Sequence, residues 1–126
     1  MTELNERFLA RGKRVDNGEW IEGYYGEYFN GEKNVSCISI PSKEAINGYL
    51  CYEVVRKTLG HYSGLRDNNG KRIFEGDTFS KGKLRNVVEL CKGEFCINGD
   101  TPLWCFKNQT VIGNIHDNAE LWESEK

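Results

Sequence analysis

The sequence predicts a mainly β protein with little helix, and three observations carry that expectation. Glycine is frequent and proline scarce, with Gly 14 against Pro 2 in 126 residues. Many glycines supply the positive φ that tight turns need, and few prolines leave strand donors intact. Runs of β-branched and aromatic residues recur between Asn-Gly and Gly-Asp dipeptides. Four glycines within residues 60–77 are too many for a helix interior.

Residues 7–25 start the ordered part. Phe8, Leu9 and Val15 flank Arg11-Gly12-Lys13-Arg14, and Trp20, Ile21, Tyr24 and Tyr25 follow the turn signal Asp16-Asn17-Gly18, so this stretch predicts a hairpin. Tyr28-Phe29-Asn30-Gly31 is a further aromatic arm with its own reversal. Val35 to Ile40 carries apolar residues on both parities, the pattern of an interior strand closed by Pro41. Residues 42–45 have room for one helical turn before Gly48. Residues 49–55 are dense in strand formers.

Residues 60–77 organise the chain. Leu65 and Ile73-Phe74 anchor the arms of a reversal at Asn69-Gly70, and Gly76-Asp77 turns again into Thr78-Phe79. Beyond lie short apolar segments at residues 87–91, 94–97, 103–106 and 110–115, spaced as in a small barrel or sandwich. Glu120-Leu121-Trp122-Glu123 is expected to end the fold. The whole therefore reads as one domain over 1–126: a hairpin region at about 7–58, a central hairpin at 60–77 and an SH3-like barrel or sandwich at 78–122.

Tyr62, Gly64, Leu65, Asp67, Asn69, Gly70, Lys71, Ile73, Glu75, Gly76 and Asp77 spell a pattern that resembles the YopX-like family of phage and prophage proteins. The stretch from Arg11 to Tyr24 and the segment Val111-Ile112-Gly113-Asn114-Ile115-His116-Asp117-Asn118 resemble it too. Ser63 stands for the family's threonine, Arg56 and Ala119 for prolines, and His116 for a tyrosine. The resemblance implies a protein of phage or prophage origin acting in the bacterial host cytoplasm, with no established activity. Its motif residues Gly64, Leu65, Asp67, Gly70, Gly76, Asp77, Gly113 and Asn114 read as architectural.

Chemistry-bearing patterns are incomplete. Aligning Gly70 with the glycine of a calcium loop puts Leu65 and Gly76 where the first and the bidentate ligands belong. Cys91, Cys96, Cys105 and His116 are separated by four, eight and ten residues, without paired zinc knuckles. His61 and Ser63 lie two residues apart but in no nucleophile motif, and Glu75 with Asp77 reads as turn chemistry. The expectation is a protein that is not an enzyme, with no catalytic or metal-binding residues and no cofactor.

Five unpaired-looking cysteines predict reduced thiols, and no apolar run has the length of a membrane span or the layout of a signal peptide. The net charge of −2 gives no global pull on nucleic acid. Locally, Arg7, Arg11, Lys13 and Arg14 form an acid-free cluster, and Lys81, Lys83 and Arg85 enrich a loop, so nucleic acid is one candidate partner. The favoured reading is an interaction or assembly module. Fifteen aromatic residues are too many for a chain of this size to hide, which favours self-association or capture of a host or phage protein.

Overall fold

The computed structural model describes residues 6–79, 86–91, 93–99, 101–106 and 109–117. The protein is mainly β, with antiparallel pairing throughout its registered strands. Among the described residues the only helical pieces are single 3-10 turns at Glu6–Phe8, Arg56–Thr58 and Leu103–Phe106. The chain divides into two compact units, Met1–Tyr62 and Ser63–Lys126.

In the first unit, β1 (Leu9–Lys13) and β2 (Trp20–Phe29) form the expected hairpin about Asp16-Asn17-Gly18. The Arg14 N–H donates to the Glu19 carbonyl at 2.9 Å across this turn. β3 (Asn34–Pro41) pairs with β2, and β4 (Tyr49–Glu53) pairs with β3. Residues 42–48 form turns rather than a helix, with the Ser42 N–H on the Gly48 carbonyl. β5 (Gly60–Arg66) starts here, pairing Gly60 with Arg11 and His61 with Ala10.

Strand order β4-β3-β2-β1-β5 implies a simple open sheet, but the sheet is strongly curled. Past β4 the chain leaves β3 and crosses to β1. Arg14 bridges Val54, with the Val15 N–H on the Glu53 carbonyl at 3.0 Å and the Val55 N–H on the Lys13 carbonyl at 2.8 Å. The enclosed face carries Ala10, Ile38 and Val54, with Ile21, Ile40 and Leu59 packed against them. Two glycines make the curl sterically feasible. A Cβ on Gly12 would lie 3.0 Å from the Val54 Cβ, and one on Gly23 would lie 2.5 Å from the Ser39 carbonyl oxygen.

In the second unit β5 neighbours β6 (Arg72–Phe74), closing the central hairpin. β7 (Asp77–Phe79) pairs with β11 (Val111–Asn114). β8 (Val88–Cys91), β9 (Glu94–Ile97) and β10 (Thr101–Pro102) make a three-stranded sheet. Ile73, Phe79, Val88, Ile97, Leu103 and Val111 form its core.

The SH3-like closure expected for 78–122 is not seen: among the described residues no sheet closes into a barrel. The strands are two to four residues long and split between two small sheets, joined by an isolated bridge between Thr78 and Val87. Leu103–Phe106, expected as a strand, is a 3-10 turn that buries Leu103 and leaves Trp104 exposed. The proposed end of the fold at residues 120–123 lies outside the described residues.

Candidate functional site

Asp67 sits at the mouth of the central turn and is buried to 7% exposure. One carboxylate oxygen accepts the backbone N–H groups of Asn69 and Lys71, both at 2.9 Å. The other accepts the Val111 N–H at 3.0 Å, forty-four residues away. Next to it the Asn68 N–H donates to the Gln109 carbonyl, and the Thr110 hydroxyl donates to the Asn68 side chain. A single carboxylate thus ties the central turn to the start of β11. Burial pushes the Asp67 carboxyl up, but the three N–H donors and the Lys71 charge outweigh it, so its pKa lies below the ordinary value.

Asp77 and Asn114, paired in register across β7 and β11, do similar work. Asp77 is 1% exposed and accepts the Phe74 N–H at 2.8 Å, closing the Gly76 turn. The Asn114 side-chain oxygen accepts the N–H groups of His116 and Asp117, both at 2.9 Å, and its amide donates to the Asp117 carboxylate. Gly64, Gly70 and Gly76 adopt left-handed φ, whereas Gly113 does not and sits instead at the register shift within β11. Leu65 packs against the core of its unit. Every oxygen ligand that a metal reading would need from Asp67 is already occupied by backbone donors. Among the described residues no group of three or more His, Cys, Asp or Glu side chains converges as a metal site.

The amino-terminal basic cluster is dispersed by strand alternation. Arg11 is buried, and both Arg11 and Lys13 lie over the Trp20 ring, at 4.8 and 5.9 Å from its centroid. Arg14 is on the other parity, 4.1 Å above the Tyr52 ring and ion-paired with Asp16. Arg7, in the first 3-10 turn, is exposed. Lys81, Lys83 and Arg85 lie outside the described residues.

The most distinctive surface is the end of the first unit's sheet, for which the sequence carried only a surplus of aromatic residues. Tyr49 and Leu50 are exposed on its outer strand β4 and Ile46 in the turn before it, while Tyr25, Tyr28 and Phe29 are exposed on β2, away from that strand. β4 is the terminal strand. The Val54 N–H donates to the Ser36 carbonyl, so by antiparallel alternation residues 50, 52 and 54 face β3 while Tyr49, Cys51 and Glu53 turn their backbone groups outward. Two of those outward groups are taken: the Tyr49 N–H by the Asn47 side chain at 3.1 Å, and the Glu53 carbonyl by Val15. The edge has neither lysine nor proline, the residues that usually block strand addition. Register pairing would have been needed to recognise this edge, and single residues do not encode it.

Among the described residues no helix is long and apolar enough to cross a membrane. No curated protein and no solved structure matches the chain. The model of the YopX protein family matches residues 11–123, which include the Asp67, Asp77 and Asn114 turns. With most of its length covered by that match, the chain belongs to the YopX family.

Proposed function

We propose that the protein is a non-enzymatic interaction module that associates with a second copy of itself through the outer edge of β4. The observation that carries the reading is the set of backbone groups this edge still offers. They are the Tyr49 carbonyl and both groups of Cys51, none with a strand partner among the described residues, whereas Val15 already lies against Glu53. Antiparallel pairing about a two-fold axis at Cys51 uses the Cys51 groups and leaves Glu53 to Val15. Cys51 exchanges two hydrogen bonds with its copy. The same register sets Leu50 opposite Tyr52.

The edge is five residues long. Stable interfaces bury roughly 800 Å² per partner, and one short strand pair with Ile46 and Leu50 beside it supplies less. The association is therefore weak and concentration-dependent. The five free cysteines support a reducing setting such as the bacterial cytoplasm. Nucleic-acid binding has less support, because the mapped basic residues are split between two faces and engaged with Trp20, Tyr52 and Asp16.

Sedimentation or light scattering across a concentration series tests the reading. The average mass is expected to rise with concentration, and Tyr49→Lys and Leu50→Lys are expected to hold it at the monomer. A monomer at every concentration, or a dimer indifferent to both changes, would refute β4 pairing.

A further inference from the structure

The turn between β8 and β9 brings two thiols together. The register pairs Cys91 with Glu94 and Cys96 with Glu89, so the period of two puts both cysteines on the same face, on diagonally neighbouring positions. The two thiols are close enough to influence each other's ionisation. They differ in setting. Cys96 is buried at 2% exposure beside the core residue Ile97, whereas Cys91 is half-buried at the mouth of the hairpin. Burial, with the neighbouring Cys91, pushes the Cys96 thiol up to about 11, so it stays protonated at neutral pH.

The other close pair contrasts with this one. Cys37 and Cys51 are also diagonal neighbours on β3 and β4. There, however, the Cys51 sulfur lies 3.1 Å from the Ser39 hydroxyl oxygen and the Cys37 thiol donates to the Gly26 carbonyl at 3.5 Å. Each of those sulfurs is held by a different partner.

We propose that Cys91 and Cys96 form a reversible redox site, a dithiol that low-molecular-weight disulfides convert to an intrachain disulfide. The chemistry runs in two exchanges. The Cys91 thiolate, the more exposed sulfur, attacks one sulfur of the small disulfide, forming a mixed disulfide and releasing one small thiolate. The Cys96 sulfur then attacks the Cys91 sulfur, losing its proton as the second small thiol leaves and takes it up. Two protein thiols are oxidised and one external disulfide is reduced to two thiols. Diagonal strand positions, about 7–8 Å apart, lie just beyond relaxed disulfide geometry, so closure takes a small backbone movement and leaves the bridge strained. The bridge is therefore easily reduced, which suits a switch in a reducing compartment better than a permanent staple. The site stands independently of β4 pairing, since it lies in the other unit.

Incubating the native full-length protein with oxidised glutathione, followed by peptide mapping without reduction, tests the proposal. The expected product is a peptide pair joined through Cys91 and Cys96, two hydrogen masses lighter than the reduced form and restored by dithiothreitol. Cys91→Ser, a change at the less buried position, is expected to abolish that product without unfolding the protein. Persistent glutathione adducts on Cys91 with no closure would overturn the proposal. So would a native-state bridge at Cys37–Cys51 in its place, or closure seen only after urea has unfolded the chain.

Discussion

At the scale of single residues, Asp67 concentrates most of the motif's physical work. Its oxygens hold three backbone N–H groups, one of them across forty-four residues. Hydrogen bonds to a charged acceptor are worth about 1.5–3 kcal/mol each when broken singly. Asp67→Asn turns an N–H₂ toward donors, and its cost in urea unfolding is expected to be about 2–3 kcal/mol. The pH dependence has a defined sign. The folded pKa is depressed, so the unfolded chain binds the proton first as pH falls. The stabilisation is complete above the unfolded value of about 4 and is lost as pH drops through the lower folded value. Asp67→Asn should flatten that part of the stability curve. Gly23 makes a second, purely steric case. With the Ser39 oxygen 2.5 Å from a would-be Cβ, Gly23→Ala should cost about 1–3 kcal/mol, read as a lower thermal midpoint.

Elements show what could and could not be read in advance. The hairpins about Asp16-Asn17-Gly18 and Asn69-Gly70 were legible because the turn chemistry is local and the flanking residues alternate. The strands at 34–41, 49–53, 88–91, 94–97 and 111–114 follow from β-branched and aromatic runs. What was not legible is the way the segment after β4 changes partners. Nothing in Arg56-Lys57-Thr58 announces that the Thr58 hydroxyl will accept the Lys13 N–H at 2.9 Å while donating to the Val55 carbonyl at 2.6 Å. That hydroxyl fills the gap in the β1 ladder between Arg11 and Arg14. Thr58→Val keeps the shape and removes the acceptor. The expected loss is about 1–3 kcal/mol, with faster hydrogen exchange at the Lys13 amide. The basic cluster was misleading for a related reason. Four cations close in sequence look like a patch, but strand alternation sends Arg14 to the face opposite Arg11 and Lys13.

Across the whole molecule, the two units are built by different means. The first relies on long strands and a curled sheet, the second on short strands tied by the side chains of Asp67, Asp77 and Asn114. Acid should therefore act first on the second unit. Amide exchange followed from neutral to acid pH checks the claim. Protection in β11 is expected to fall before protection in β2, and simultaneous loss would contradict it.

The bridge between Arg14 and Val54, with Gly60 and His61 beyond it, also sets a timetable for synthesis. β1 leaves the ribosome before its partners, and β2 covers one of its edges soon after. Its other edge has no occupant until some fifty residues have been added. Throughout that interval the nascent chain offers an open template to any extended polypeptide nearby. Pausing between residues 30 and 61 would therefore raise aggregation more than pausing later.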